Sequence, residues 1–133
     1  MVSLVLIAHS PDLVAGLRAM VAQVAPRVAV ETAAGTGGGR LGTSAPAVLE
    51  ALRRALAAGE GTVVLLDHGS AFLALDIALD DLPERDRARV RLSGGPLVEG
   101  AILAAIEAAS GGSLEAVGRV ADDAWRVPKI PGD

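Results

Sequence analysis

His9 stands in the stretch LVLIAHSPD (residues 4–12), on the seam between an apolar run and the start of a helix. A neutral imidazole there can attack an electrophile such as phosphorus. The helix behind it opens with Ser10 as N-cap, Pro11 at the first helical position and Asp12 in the first turn. Its free N–H groups and positive dipole end favour an anion, so phosphoryl oxygens have a place beside His9. Asp67, at the end of another apolar run, is the natural companion. A carboxylate accepting one imidazole N–H fixes the tautomer and leaves the other nitrogen free to react. Asp67 suits equally a helix cap before Gly69-Ser70, and the two roles are compatible. His68 next door reads as an exposed loop residue. With two histidines and no cysteine, the chain offers no metal cluster to account for His9.

A glycine-rich loop, GTGGGRLG (residues 35–42), presents backbone N–H groups without side-chain obstruction, a possible anion-binding concavity. Within it GGGRLG matches G-x-G-x-x-G, which admits a small nucleotide- or dinucleotide-binding module. The loop is longer than a dinucleotide turn, however, and it follows the second strand. No G-K-[ST] follows, which excludes a P-loop. Gly42, Thr43 and Ser44 bring two hydroxyls to a helix start, where they either complete a phosphate pocket or simply cap. Arg40 either balances a phosphate or is solvated.

The elements that would position these groups follow from the apolar pattern. Residues 2–8, 28–33, 62–66 and 90–92 are short apolar runs of the kind that form strands buried on both faces. Helices are expected from residue 11 to Pro26, from Thr43 or Ser44 to Gly59, over residues 71–82, after Pro96 and over 113–124. In the first, Leu13, Leu17, Met20, Val21 and Val24 recur at helical spacing. Residues 83–89 read as a charged loop and 127–133 as a loose tail. Strand and helix alternate four times through short connections, which predicts one α/β domain over residues 1–124, with residues 125–133 as a C-terminal tail. The sheet is open, mainly parallel and four-stranded, with helices on both faces. Ligands bind such sheets beyond the carboxyl ends of the strands. That places four loops in view: His9-Ser10, residues 35–44, residues 67–70 and residues 93–95. In a 2-1-3 strand order, Asp67 lies on the strand beside that of His9.

Composition agrees. Hydrophobic residues are 51% of the 133 but aromatics only 2%, so the core must be aliphatic. A net charge of −4 without a basic stripe, and with Phe72 and Trp125 as the aromatics, argues against nucleic acid as a partner. Residues 2–8 are too short to span a bilayer. The absence of cysteine fits a cytoplasmic protein.

Four segments, IAHSPDLVAGL, GGRLGTSAPAVLEAL, DHGSAFLALD and LSGGPLVEGAILAAIEAASGGSLEAV, together resemble the phosphotransfer subunits of bacterial dihydroxyacetone kinases. These are relatives of the mannose-type IIA domains of the phosphoenolpyruvate:sugar phosphotransferase system. The resemblance covers about residues 2–120. It implies a strand order of 2-1-3-4, a cytoplasmic homodimer, and a phosphohistidine at His9 with Asp67 as its orienting carboxylate. It places Gly42, Thr43, Ser44, Gly69 and Ser70 on the phosphate side, beside the Ser10 helix start. It implies HPr as the phosphoryl donor and, as acceptor, ADP with Mg held on the nucleotide-binding kinase subunit. The chain itself would bind no cofactor. Some relatives carry fused HPr-like and enzyme I-like domains, so here a separate donor is expected. The family turn usually has leucine at the position of His68. A sugar-permease IIA component handing phosphate to a IIB protein would use the same histidine.

Overall fold

The computed structural model describes residues 1–132. Strand β1 (Ser3–Ala8) has six consecutive buried residues, as a strand covered on both faces requires. Its side chains alternate between two cores. Leu4, Leu6 and Ala8 pack with Val14, Leu17 and Val21 of helix α1 (Pro11–Val24) and with the helices near the C-terminus. Val5 and Ile7 pack on the opposite side with Val48, Leu52 and Leu75. The continuous apolar run is therefore two interleaved period-two patterns.

Strand β2 (Val30–Ala34) and helix α2 (Ala45–Ala58) precede β3 (Thr62–Leu66). A 3₁₀ turn (Gly69–Ala71) leads into α3 (Phe72–Asp80), and α4 (Glu84–Arg87) follows. Strand β4 (Val90–Leu92), α5 (Leu97–Ala109) and α6 (Leu114–Asp122) end the fold, with a 3₁₀ turn at Asp123–Arg126. The sheet order is β2-β1-β3-β4 and every pairing is parallel. Helices α1, α5 and α6 contribute to one core, α2 and α3 to the other. The α/β architecture and strand order expected from the sequence are those observed.

Several boundaries differ. Residues 28 and 29 stay outside β2, because the Val28 N–H closes a turn onto Ala25 and only the Ala29 carbonyl meets Leu4. The helix expected over 71–82 begins with the 3₁₀ turn and ends at Asp80. The charged loop contains a one-turn helix: Pro83 opens α4, with Glu84 and Asp86 in its first turn and Arg85 and Arg87 toward its end, the arrangement that complements a helix dipole. On α1 the buried face is Val14, Leu17 and Val21, whereas Leu13, Met20 and Val24 are exposed. Position 124, the expected edge of the domain, falls within the last 3₁₀ turn, where Trp125 is exposed beneath the Arg126 guanidinium. Lys129 pairs with Glu99 at 2.6 Å and ties the following segment to α5. Among the described residues, no helix is long and apolar enough to cross a membrane.

This strand order puts a switch point between β1 and β3. The chain leaves β1 through α1 toward β2 and leaves β3 toward β4, on the other side of the sheet. The loops after β1 and β3 part there and leave a crevice at the carboxyl end of the sheet. They carry His9 and Asp67.

Candidate active site

The β1–β3 ladder itself brings the two residues together. Asp67 N–H donates to the Ile7 carbonyl (3.0 Å), and His9 N–H donates to Asp67 Oδ2 (2.9 Å). The imidazole lies alongside, with Nδ1 2.9 Å from Oδ2 and 3.1 Å from Oδ1. His68 N–H adds a further hydrogen bond to Oδ1 at 2.8 Å. On the far side of His9, its carbonyl accepts from Gly42 N–H (2.9 Å).

This carboxylate accepts from every partner, so it is the ionised form that the site requires. Burial alone, the largest single effect, pushes the Asp67 pKa up. Hydrogen bonds from the His9 backbone, the His9 ring and the His68 backbone, with the charge attraction of His9, outweigh it. Asp67 therefore titrates below its usual 3.8. Since Asp67 only accepts, the proton of a neutral His9 sits on Nδ1 and the Nε2 lone pair is free. Ser70 Oγ lies 2.9 Å from that Nε2 and donates its hydroxyl proton to it. The His9 side chain is 27% exposed against 13% for Asp67, so the imidazole is the more accessible member of the pair.

The remaining candidates divide. Ser10 Oγ accepts from Leu13 N–H (3.2 Å) and Ser44 Oγ from Ala47 N–H (3.4 Å), so both cap their helices as expected. Among the described residues, the Gly69 and Ser70 N–H groups have no protein acceptor. Thr43 lies between Gly42 and the Ser44 cap, and Arg40 is exposed. The glycine loop closes on itself through Gly35 N–H to Gly42 O (2.7 Å) and Thr36 N–H to Arg40 O (3.2 Å). At Gly35 (φ 77°) an added Cβ would press on the Arg40 carbonyl, and Gly42 (φ 126°) also needs the left-handed region. These glycines shape a turn that delivers Gly42 to His9, not a phosphate cradle opening directly onto a helix. The loop at 93–95 is turned away: Ser93 Oγ donates to Asp122 (2.6 Å) and accepts from Gly95 N–H (3.1 Å). It meets the site only across a depression of about 200 Å³, lined by Asp67, His68, Gly69 and residues 93–95 together with Leu66.

His68 has a larger part in the site than its loop position implies. It is exposed, as expected, but its ring stacks on that of His9 (centroids 4.1 Å apart, 10° between planes) and its Nδ1 is 2.9 Å from Ser70 Oγ. The D-H-G-S spacing was the available signal, since a tight 3₁₀ turn folds residue 68 back over residue 70. The two histidines thus do converge, and His9, Asp67 and His68 each offer an atom within 4.8 Å of the others. As arranged they do not fit a metal. Near-parallel stacked rings send their in-plane lone pairs along separate planes, and the Asp67 oxygens are taken by N–H groups.

The sequence matches the EIIA-man family, described as "PTS system fructose IIA component", over residues 3–118. It is 35% identical over 121 residues to the phosphoryl donor subunit DhaM of the phosphoenolpyruvate-dependent dihydroxyacetone kinase of Escherichia coli K12, covering 88% of this chain and 25% of that protein. With the DhaM subunit of dihydroxyacetone kinase 2 from Listeria innocua it shares 34% identity over 118 residues, 88% of this chain and 94% of that one. The chain thus spans about a quarter of the first relative and nearly all of the second. A crystal structure of a protein of unknown function superposes with a TM-score of 0.83 at 25% identity, over 99% of this chain and 98% of the other.

Proposed function

From the premise that the chain belongs to the EIIA-man family, among the DhaM-type phosphoryl donor subunits, we propose that it carries a phosphoryl group on His9 Nε2. The donor is HPr and the acceptor is ADP held with Mg on the nucleotide-binding subunit of a dihydroxyacetone kinase. This chain holds no cofactor of its own and works in the cytoplasm as a homodimer. The observation that carries the reading is the polarity of the hydrogen bonds: Asp67 takes Nδ1–H, which leaves Nε2 of the more accessible imidazole as the nucleophile.

In the transfer, the Nε2 lone pair forms the new P–N bond as the donor's P–N bond breaks and its electrons return to the donor nitrogen. His9 keeps its Nδ1 proton, and the positive charge that develops on the ring is offset by Asp67. Phosphoryl oxygens would be received by the Gly69 and Ser70 N–H groups, which lack a protein acceptor among the described residues, and by the start of α1 at Ser10, with Gly42, Thr43 and Ser44 as the family resemblance assigns them. In transfer onward, a terminal phosphate oxygen of ADP forms the new P–O bond as the Nε2–P bond breaks and its electrons return to Nε2 of His9.

The test is a complete relay. Phosphoenolpyruvate, enzyme I and HPr should label the chain, and the labelled chain should discharge onto an ADP-loaded kinase subunit with formation of ATP. Discharge onto a IIB domain but not onto ADP would move the chain to the sugar-permease branch. Loss of nucleotide binding on Gly37 or Gly39 replacement, with no labelling of His9, would favour the GGGRLG reading instead.

A further inference from the structure

We propose that His68 is a positioning residue for this transfer, acting on His9 through Ser70; the inference rests on the phosphohistidine reading above. Three contacts set it out. The His68 ring lies parallel to the His9 ring at 4.1 Å. Its Nδ1 is 2.9 Å from Ser70 Oγ, and the same oxygen is 2.9 Å from His9 Nε2. Ser70 has a single hydroxyl proton, and a neutral His9 oriented by Asp67 can only accept at Nε2. Ser70 must therefore donate to His9, and its oxygen must accept from His68 Nδ1–H. The chain of hydrogen bonds runs one way, His68 to Ser70 to His9 to Asp67.

The consequence is a defined hydroxyl. Without His68, the Ser70 oxygen on an exposed turn would be held from one side only and would exchange partners with water. With it, the hydroxyl is tethered from a second side, and as phosphorus reaches Nε2 it yields the lone-pair axis by pivoting about its bond to His68. When the Nε2 lone pair becomes a P–N bond, the hydroxyl proton loses its acceptor and turns to the nearest phosphoryl oxygen. Ser70 keeps its proton and the oxygen keeps its bond from His68. No proton leaves the site, and a donor is already in place where negative charge arrives. The stack holds the His68 ring over the site, so the positioning does not depend on a buried side chain.

The experiment uses a small phosphoryl donor, phosphoramidate, so that contacts between exposed His68 and a partner protein do not enter. Intact-mass measurements follow the labelling of the wild-type chain, His68→Leu, His68→Asn, Ser70→Ala and the double variant Ser70→Ala/His68→Leu. His68→Leu should slow labelling about two- to tenfold, the effect of one neutral hydrogen bond, with an unchanged melting midpoint. His68→Asn, whose amide N–H occupies the place of Nδ1–H, should recover most of the rate. In the Ser70→Ala background, His68→Leu should cost nothing further, because the residue through which it acts is gone. Equal rates for wild type and His68→Leu would overturn the proposal, as would a His68→Asn as slow as His68→Leu or a full additive loss in the double variant. Wild-type labelling by phosphoramidate but not by phospho-HPr would count against the functional reading alone, since the His68 comparison would still be decided.

Discussion

Two aspartates stand near the carboxyl end of the sheet, each at the centre of a small polar cluster, and they are built to opposite ends. Asp122, at the end of α6, accepts from Ser93 Oγ (2.6 Å) and from Arg91 (2.9 Å). Arg91 in turn donates to the Leu92 carbonyl (2.7 Å), and Ser93 receives Gly95 N–H. Arg91 is held still more firmly protonated by Asp122, against the opposing effect of its burial. Every group in that cluster is joined to another element, and the loop after β4 is locked onto α6. Asp67 also accepts several N–H bonds, but its cluster ends in an open position: His9 Nε2, held only by a hydroxyl that can turn away. Saturated hydrogen bonding makes a joint. The same bonding with one weakly held terminus makes a site.

The contrast is broken most severely by removing each carboxylate in turn. Asp67→Ala should slow phosphoryl labelling by at least about a hundredfold and up to roughly the ten-thousandfold seen where an imidazole loses its orienting carboxylate and adopts the wrong tautomer, and the chain should still fold. Unchanged labelling would reduce Asp67 to a tie between the ends of β1 and β3; it caps no helix, since its oxygens accept from His9 and His68 and the turn after it has no side-chain cap. Asp122→Ala should do the reverse, with labelling of the folded protein kept and about 1–3 kcal/mol of stability lost in urea unfolding, because Arg91 and the buried Ser93 hydroxyl lose their acceptor. Gly95→Ala belongs with it. A Cβ there would collide with the Ala121 carbonyl, so a loss of about 1–3 kcal/mol is expected, again without effect on the folded protein's labelling.

A pH titration sharpens the same comparison. The Asp67 pKa is lower in the folded chain than its usual 3.8, so its contribution to stability is complete above that value and is lost as pH falls through the lower, folded pKa. Asp67→Ala should therefore flatten the acid limb of the stability curve below about pH 4. An acid limb identical to that of the wild type would show that the hydrogen bonds around Asp67 are not coupled to folding. The smallest effect is expected in the sheet itself. Thr62 Oγ1 is buried without a hydrogen-bond partner among the described residues, so Thr62→Val should change stability by less than about 1 kcal/mol, with no loss expected.

The parts of this arrangement that could be read in the sequence are local or set by chain order. An apolar run followed by His-Ser-Pro-Asp marks a strand end and a cap, and a second run ending in Asp67 falls beside it once the strand order is 2-1-3. The parts that could not be read depend on where distant segments meet. Nothing in SGGP shows that Ser93 will meet Asp122 or that Gly95 will lie against α6. The glycine loop matched a nucleotide motif, but its own hydrogen bonds fold it into a turn against His9. The His68 stack needs both the 3₁₀ turn after β3 and the register of β3 on β1, and D-H-G-S signals the turn but not the register that brings His9 beside it.

The central claim is that Asp67 and Ser70 together make Nε2 of His9 the phosphoryl carrier. The most direct measurement is nitrogen-15 NMR of the labelled, histidine-enriched chain, which separates substitution at Nε2 from substitution at Nδ1. The predicted result is one phosphohistidine, at Nε2 of His9, absent from His9→Ala. A phosphoryl group on Nδ1 of His9, or on His68, would contradict the account.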